Sequence, residues 1–454
     1  MLSILETCRP RSDLLAGMFN PEVFTASLGP VLRYYRGDSK AGISVYNDAD
    51  FFFREATFPT DGLCQTLRRV FARLQGDIGA SSLIRLETAF GGGKTHTLIA
   101  CAHLAFRGKE LKEAVEGILD VGLLPNPGEV AVVGVMGDEI PVRKTKGHEI
   151  IPYTLWGEIA YQIGGEALYR EIEEDATSFA APGMPYFDKV FGDRKVLIML
   201  DELAQYAARL EAARPNQGAS QLAAFLMTLS NYARSRPGIA IVLTLASVQN
   251  AFSRQTKMLT KVISDVLGEA VSEDEAIGIG ERGFREVTDV VSRGATAVTP
   301  VQAGELSSVL AKRLFESIDR NAAEATADAY MEMYRKVSSW LPDEAISDAF
   351  RDRMIATYPF HPTLIDFLNR KLAAAEQFQG TRGVLRVLAL AVRSLWQKKQ
   401  PVPMIHVCHL DMREQEVVDE ILSRTQSGDL MFVLNTDVGS TGTKKLEAGR
   451  SNAE

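Results

Sequence analysis

Residues 83–96 read LIRLETAFGGGKTH and contain the pattern that decides the fold. A short apolar run is followed by three consecutive glycines, then by Lys94, Thr95 and a helical pattern over 94–106. A strand, a glycine-rich turn and a helix in this order are typical of a phosphate-binding loop. Consecutive glycines let backbone N–H groups point inward at an anion, and the start of a helix adds partial positive charge. This stretch therefore predicts a site for the phosphates of a nucleotide.

Each residue type in the turn has an expected task. The residues expected to bind the nucleotide are Phe90, Gly91, Gly92, Gly93, Lys94, Thr95 and His96. Lys94 is expected to reach the β- and γ-phosphates, and the Thr95 hydroxyl is expected to bind Mg²⁺. One position departs from the usual pattern, because Thr88 stands where a glycine is expected, although the three glycines still permit the turn. The alternative is a glycine-rich connection that binds nothing.

A second motif, KVLIMLDE at 195–202, strengthens the nucleotide interpretation. Five apolar residues that end in two acids are typical of a buried central strand whose carboxylates lie at the ligand-binding edge of an α/β sheet. Asp201 would hold Mg²⁺, directly or through water, and Glu202 would polarise the attacking water. A strand that merely ends in solvated acids is the alternative. The two motifs together favour ATP hydrolysis over binding alone.

Two further candidates are less specific. The strand pattern 239–245 contains Thr244 and is followed by Ser247. Either hydroxyl could contact the γ-phosphate or the water, or be an ordinary strand-end group. Arg382 falls in the first turn of a helix that Thr381 is expected to cap, so its charge opposes the helix dipole. A nearby phosphate would remove that conflict, and a solvated arginine is the alternative.

The rest of the chain predicts a parallel sheet covered on both faces. The expected strands are 83–86, 130–136, 196–200 and 239–245, separated by helical patterns at 94–106, 153–172 and 219–235. Alternation of strands and helices indicates this class of fold. The acidic and glycine-containing stretches 171–185 and 268–283 interrupt this alternation and are expected to be loops or insertions.

The pattern changes after residue 302, where apolar residues at helical spacing predict an all-α unit of about five helices. The predicted divisions are a mixed N-terminal extension (1–80) that packs on the core, an α/β core (81–302), a helical lid (303–400) and a C-terminal segment (401–454). The last segment is expected to hold a short strand-like run, a helix over 412–424, an apolar run at 430–434 and a mobile tail.

Composition excludes several classes of protein. The 454 residues carry a net charge of −8, with 46% apolar and 24% charged residues, which is the balance of a globular chain. The negative charge argues against coating of nucleic acid by bulk charge. Four separated cysteines and no leader or membrane-spanning run favour a reduced, cytoplasmic protein.

Histidines supply two weaker signals. A metal site was considered at His406, Cys408, His409 and Asp411. On a strand these residues would face opposite sides, so zinc is not favoured. His361, between Pro359 and Pro362, is expected to form a rigid entry to a helix.

The stretch 86–97 resembles the signature of a family of large prokaryotic ATPases, catalogued as domain-of-unknown-function family 499 and related to AAA+ proteins. Three further segments resemble the same family: FFF…FPT at 51–60, YPFHP at 358–362 and FQGTRG at 378–383. The resemblance covers about residues 20–435. It implies an AAA+-like core and a helical lid, with Arg382 as the sensor arginine of the lid. Family members often lie in anti-phage defence islands beside DNA methyltransferases, and they tend to be much longer than this chain.

Two functions follow as expectations. In the first, the chain is an ATPase that uses ATP and Mg²⁺ to power remodelling of a DNA-linked or protein partner in a bacterial defence system. In the second, it is a slow nucleotide-dependent switch that regulates a partner effector such as a DNA methyltransferase. Direct contact with DNA stays open, although the net charge does not favour it. Formation of oligomers stays open as well. A third possibility is a protein that still binds its ligand but no longer hydrolyses it.

Overall fold

A computed structural model describes residues 1–16, 26–38, 45–87, 92–145, 147, 149–244, 256–368 and 381–425. Only the backbone is described for residues 256–258, 303, 381–382 and 423–425. The described strands are β1 (Cys8–Pro10), β2 (Leu83–Leu86), β3 (Val130–Met136), β4 (Lys195–Asp201), β5 (Ile239–Thr244), β6 (Thr296–Val298) and β7 (Phe315–Ile318).

Five of these strands form one parallel sheet in the order β3-β4-β5-β2-β6. Its strands are short runs rich in β-branched and aliphatic residues, which suit a sheet buried on both faces. The four predicted strands are confirmed to within one residue at each end. β6 was not predicted, because Thr296-Ala297-Val298 is too short to show a pattern.

Nineteen helices accompany the strands in the described part of the chain. The first ten are α1 (Ile4–Thr7), α2 (Ser12–Leu15), α3 (Leu28–Tyr35), α4 (Ala49–Phe51), α5 (Asp61–Leu74), α6 (Lys94–Arg107), α7 (Leu155–Glu171), α8 (Glu173–Thr177), α9 (Met184–Phe191) and α10 (Leu203–Ala213). The others are α11 (Gly218–Ser235), α12 (Thr256–Leu267), α13 (Glu273–Gly294), α14 (Leu306–Leu314), α15 (Arg320–Lys336), α16 (Asp348–Thr357), α17 (Pro362–Phe367), α18 (Thr381–Gln397) and α19 (Gln415–Thr425).

Successive side chains of the interior strand β4 point to opposite faces of the sheet and pack in two different cores. Val196, Ile198 and Leu200 pack with α7, α9, α10, α11 and α13 on one face of the sheet. Leu197 and Met199 pack with α3, α5 and α6 on the other face. The expected covering of the sheet on both faces is therefore confirmed.

The predicted loop at 268–283 is wrong, because α13 begins at Glu273. Ser272 caps the helix by accepting a hydrogen bond from Glu275 N, and three acids in the first turn complement the helix dipole. Gly283 allows close packing, since a Cβ there would lie 3.0 Å from the Ala207 carbonyl carbon of α10. The loop predicted at 171–185 is only partly correct, because it contains α8 and the start of α9.

Residues 306–422 contain a third core, and we call this region the helical unit. Five helices, α14 to α18, lie between residues 306 and 397, as expected. The prediction that this region is wholly helical is wrong, because β7 pairs with β1 in an antiparallel two-stranded sheet. α19 lies close to the predicted helix at 412–424, and the apolar run at 430–434 and the tail lie outside the described residues.

The N-terminal extension divides its contacts between the two cores. Ile4, Cys8 and Leu14 pack in the helical unit rather than on the sheet. Residues of α3 and α5 pack against the sheet, as expected of an extension that braces the core. The division of the chain at residues 80, 302 and 400 stays a prediction. No helix in the described ranges has the length and apolar character that crossing a bilayer requires.

Candidate functional site

The glycine-rich turn connects β2 to α6 at the carboxyl edge of the sheet. Gly93 is the N-cap of α6, and its φ of 87° lies in the left-handed region. The Gly93 carbonyl accepts hydrogen bonds from both the backbone N–H and the hydroxyl of Thr97, each at 2.8 Å. Phe90 and Gly91 lie outside the described residues, as does Thr88, so their predicted roles stay predictions.

Gly93 is also confined by the segment that follows β6. A Cβ on Gly93 would lie 2.8 Å from Val301 Cγ2 and 3.1 Å from Pro300 Cβ. The same segment is fixed to the start of α5, because the Thr60 hydroxyl donates a 2.6 Å hydrogen bond to the Pro300 carbonyl. Backbone conformation and space therefore both require glycine at position 93.

Lys94 occupies the first turn of α6 with a half-buried side chain. Burial lowers the pKa of its ammonium, while the charges of Asp201, Glu202 and Glu87 act in the opposite direction. No described carboxylate lies within the 4.0 Å of an ion pair, and no described group accepts a hydrogen bond from Nζ. Among the described residues, Lys94 is thus a largely desolvated cation without a direct partner.

Asp201 lies at the end of β4 and faces the start of α6. Its Oδ2 accepts a 3.3 Å hydrogen bond from the Thr95 hydroxyl, and its Oδ1 accepts one of 2.7 Å from the Thr244 hydroxyl. Asp201 is 8% exposed and Thr244 is 2% exposed. The parallel register brings these groups together, because β2, β4 and β5 all end at this edge. The structure therefore brings Thr95, Asp201 and Thr244 together, while their predicted roles toward Mg²⁺, phosphate and water stay predictions.

Glu202 lies beside this group in an unusual backbone conformation. Its φ of 52° and ψ of 38° are left-handed, and it forms the N-cap of α10. Its N–H donates to Asp201 Oδ1 at 3.1 Å and to Thr244 Oγ1 at 3.0 Å. A non-glycine residue held in this region carries strain, which is common at functional sites. The carboxylate is exposed and accepts a hydrogen bond from Gln205 Nε2.

Sequence reasoning missed Gln205 and Gly137 at this site. Gly137 follows β3, and a Cβ there would lie 2.2 Å from the Glu202 carbonyl oxygen, so a side chain would displace the Glu202 turn. Gln205 stands three residues after Glu202, a spacing that brings side chains together on a helix. This spacing is the sequence feature that could have identified Gln205. No sequence pattern indicates the left-handed backbone conformation of Glu202.

The His96 side chain packs against the N-terminal extension. Its ring stacks on Phe52 at 4.3 Å between centroids, and its Nε2 lies 2.9 Å from the Thr57 hydroxyl. Burial, together with the nearby charge of Arg313, lowers the pKa of His96 to about 3. The imidazole is therefore neutral, and its described contacts are with the N-terminal extension.

Arg382 is the second residue of α18, and its side chain lies outside the described residues. Its predicted role as a sensor therefore stays a prediction. Ser247 also lies outside the described residues.

The histidines of the helical unit have packing roles. His361 is the N-cap of α17, with Nδ1 accepting from Thr363 N at 3.3 Å and Nε2 lying 2.9 Å from the Tyr334 hydroxyl, so its expected structural role is confirmed. His406 stacks on His361 at 4.2 Å. Residues 407–409 form a 3₁₀ turn, whereas the sequence pattern predicts a strand there. In the described ranges no three potential ligands converge as a metal site.

Comparison with known proteins gives a family assignment. The family model described as the DUF499 N-terminal domain matches residues 31–276, which is more than half of the chain. The model described as the DUF499 second domain matches residues 302–450. A search of curated proteins gave no significant match. The chain therefore belongs to the DUF499 family.

Proposed function

We propose that the chain is an AAA+-like P-loop ATPase that binds ATP with Mg²⁺ and hydrolyses it. One observation carries the proposal. The Thr95 hydroxyl and the Asp201 carboxylate, which are 106 residues apart in the sequence, lie 3.3 Å apart, and no described group pairs with the neighbouring Lys94 ammonium. A cation at a helix N-terminus, with a hydroxyl and a carboxylate next to it, suits a phosphate chain and its metal ion.

The start of α6 supplies the phosphate-binding groups. Helix N-termini attract anions because the first backbone N–H groups lack intrahelical partners and carry partial positive charge. Lys94 adds a full charge there, and burial strengthens its attraction for an anion. Gly93 lets the backbone turn sharply into the helix without a side chain in the way.

Thr95 and Asp201 fit a magnesium ion. Two oxygens in adjacent positions around octahedral Mg²⁺ lie about 2.9 Å apart, which is close to their observed separation. When bound, Mg²⁺ would neutralise charge that develops on the phosphates. Thr244 stabilises this arrangement, because its hydroxyl donates a hydrogen bond to the other carboxylate oxygen of Asp201. We therefore assign Thr244 a positioning role, while its predicted contact with phosphate or water stays a prediction.

Glu202 is our candidate for the general base. It follows Asp201 directly, so its backbone is held at the same edge of the sheet by Thr244 and Asp201. A carboxylate there can accept a proton from a water molecule that attacks the γ-phosphate. Arg382, at the start of α18, is proposed to sense that phosphate from the helical unit, as the family resemblance implies.

The slow switch remains a second candidate because of one contact. Gln205 donates a hydrogen bond to the Glu202 carboxylate, which occupies an oxygen that a base needs. In this alternative, ATP would bind and hold one conformation while hydrolysis is slow. Replacement of Gln205 by alanine should then accelerate hydrolysis.

The process that hydrolysis would serve is proposed from the family resemblance alone. It is remodelling of a DNA-linked or protein partner in an anti-phage defence system, or regulation of an effector such as a DNA methyltransferase.

Hydrolysis assays test the proposal. Lys94→Ala should lower kcat/KM by about 100-fold or more, because charge stabilisation at the phosphates is lost. Glu202→Gln should lower kcat by about 100-fold or more while nucleotide still binds. Lys112→Ala and Glu116→Gln, which change exposed residues after α6, serve as matched controls.

The outcomes separate the candidates. Turnover that both site variants abolish supports the ATPase, and a higher rate with duplex DNA supports a nucleic-acid-linked partner. Tight nucleotide binding with almost no turnover supports the switch. Equal activity in Lys94→Ala and wild type would contradict the proposed site.

A further inference from the structure

A connected set of buried contacts links the first turn of α6 to the helical unit. It begins at His96, two residues after Lys94. The Thr57 hydroxyl donates to the Phe52 carbonyl at 2.7 Å, so its oxygen accepts from His96 Nε2 at 2.9 Å. The Tyr46 ring meets the His96 ring edge-on at 6.4 Å between centroids. Residues 45–57 thus cover the side of α6 next to the proposed nucleotide site.

Tyr46 is held to α6 at a second point. Its backbone carbonyl accepts a 2.9 Å hydrogen bond from His103 Nε2, two turns further along the helix. His103 Nδ1 in turn lies 2.7 Å from the Tyr35 hydroxyl of α3. Burial lowers the pKa of His103 to about 4, so this imidazole is neutral and can donate from one nitrogen and accept at the other. Tyr46 is therefore anchored to α6 at two points.

The helical unit reaches the same tyrosine through Arg313 of α14. Arg313 is 8% exposed, and its Nη2 donates a 2.8 Å hydrogen bond to the Tyr46 hydroxyl. Its Nη1 donates to the Ala56 carbonyl at 3.4 Å. A buried guanidinium is costly to leave unpaired, so these contacts tie α14 closely to residues 46–56.

We propose that Arg313 is a positioning residue for nucleotide binding, which acts on the first turn of α6 through Tyr46 and His96. The inference rests on the proposed function and deepens it, because it makes nucleotide affinity depend on how the helical unit docks. By linkage, bound nucleotide must strengthen that docking by the same factor. The role of residues 45–57 is then to transmit this coupling.

Two substitutions separate coupling from simple packing. Tyr46→Phe removes the acceptor for Arg313 but keeps the ring against His96. Arg313→Met removes the donor and keeps much of the apolar stem. Arg386→Met is the matched control, because Arg386 is also 8% exposed in the helical unit but pairs with Glu420 of α19.

The first measurement is the dissociation constant of a fluorescent ATP analogue with Mg²⁺ for each full-length variant. Coupling predicts that affinity falls about 5-fold in Tyr46→Phe and in Arg313→Met, with no further loss in the double variant. Arg386→Met should lower the melting temperature without changing affinity. Unchanged affinity in both single variants, or effects that add in the double variant, would overturn the inference.

The second measurement needs no nucleotide, so its result is independent of the proposed function. Hydrogen exchange of the amides of residues 97–100 should be about 5-fold faster in Arg313→Met than in wild type, because the start of α6 is less firmly held. Exchange there that matches Arg386→Met would overturn the positioning role. Absence of binding by wild type, with faster exchange in Arg313→Met, would instead reject the proposed function.

Discussion

Thr244 shows how one hydroxyl can fix two neighbouring acidic residues. It donates to Asp201 Oδ1 at 2.7 Å and accepts from Glu202 N at 3.0 Å. The two acids that follow the apolar run of β4 are therefore fixed by one group on β5. A hydrogen bond to a charged carboxylate contributes more than one between neutral groups, so its loss should be measurable.

Replacement of Thr244 tests this role. Thr244→Ala should lower ATP turnover by about 10-fold and raise the Mg²⁺ concentration needed for half-maximal rate, because Asp201 is no longer fixed. Thr244→Ser keeps the hydroxyl and should retain most activity. Thr228→Ala removes a similar hydroxyl on α11, which donates to the Ala224 carbonyl at 2.9 Å, and is the control. The same Mg²⁺ dependence in Thr244→Ala and wild type would contradict the assignment.

At the scale of elements, α13 shows where sequence patterns mislead. Its glycines resemble loop residues, but Gly283 lies against α10 and Gly294 lies against α11. The acids at its start are a signal for a helix N-terminus, which was available in the sequence. The predicted strands succeeded because short apolar runs that alternate with helical patterns are typical of a buried parallel sheet.

Replacement of two glycines of α13 by alanine should change the free energy of unfolding in opposite directions. Gly283→Ala should lower the free energy of unfolding by about 1–3 kcal/mol, because its Cβ meets the α10 backbone at 3.0 Å. Gly278→Ala should raise it by about 0.5–1 kcal/mol, since its nearest contact is the Arg282 side chain at 3.8 Å. Urea unfolding of both variants measures the difference. Equal shifts would contradict close packing at Gly283.

At the scale of the whole molecule, the first residues of the chain pack against the helical unit, and local sequence patterns do not reveal this contact. Residues 8–10 pair with 315–318, and the Thr7 hydroxyl lies 2.6 Å from the Tyr358 hydroxyl. Pairing of two strands that lie about 300 residues apart leaves no periodic pattern in the sequence. The sequence therefore predicts that the whole N-terminal extension packs on the α/β core. The meeting of Lys94-Thr95 and Asp201-Glu202 at one edge of the sheet could be predicted, because each motif is local and ends or follows a predicted strand, while the roles of these residues stay predictions.

Hydrogen exchange can test the packing of the N-terminal residues against the helical unit. Ile4→Ala removes a fully buried side chain from the core of the helical unit and should lower local stability by about 2–4 kcal/mol. Exchange should accelerate in residues 306–422 and stay unchanged in the sheet. Leu67→Ala, equally buried against the sheet, should give the reverse pattern. Faster exchange of the sheet in Ile4→Ala would contradict the observed packing.

The central claim is that Lys94, Thr95 and Asp201 form a nucleotide site, and direct calorimetric titration tests it most simply. Mg²⁺-ATP should bind wild type at one site per chain, and Lys94→Ala should remove the binding heat while Lys112→Ala retains it. Because Lys94 has no partner among the described residues, its loss should not unfold the protein. No binding by wild type, or equal binding by folded Lys94→Ala, would contradict the claim.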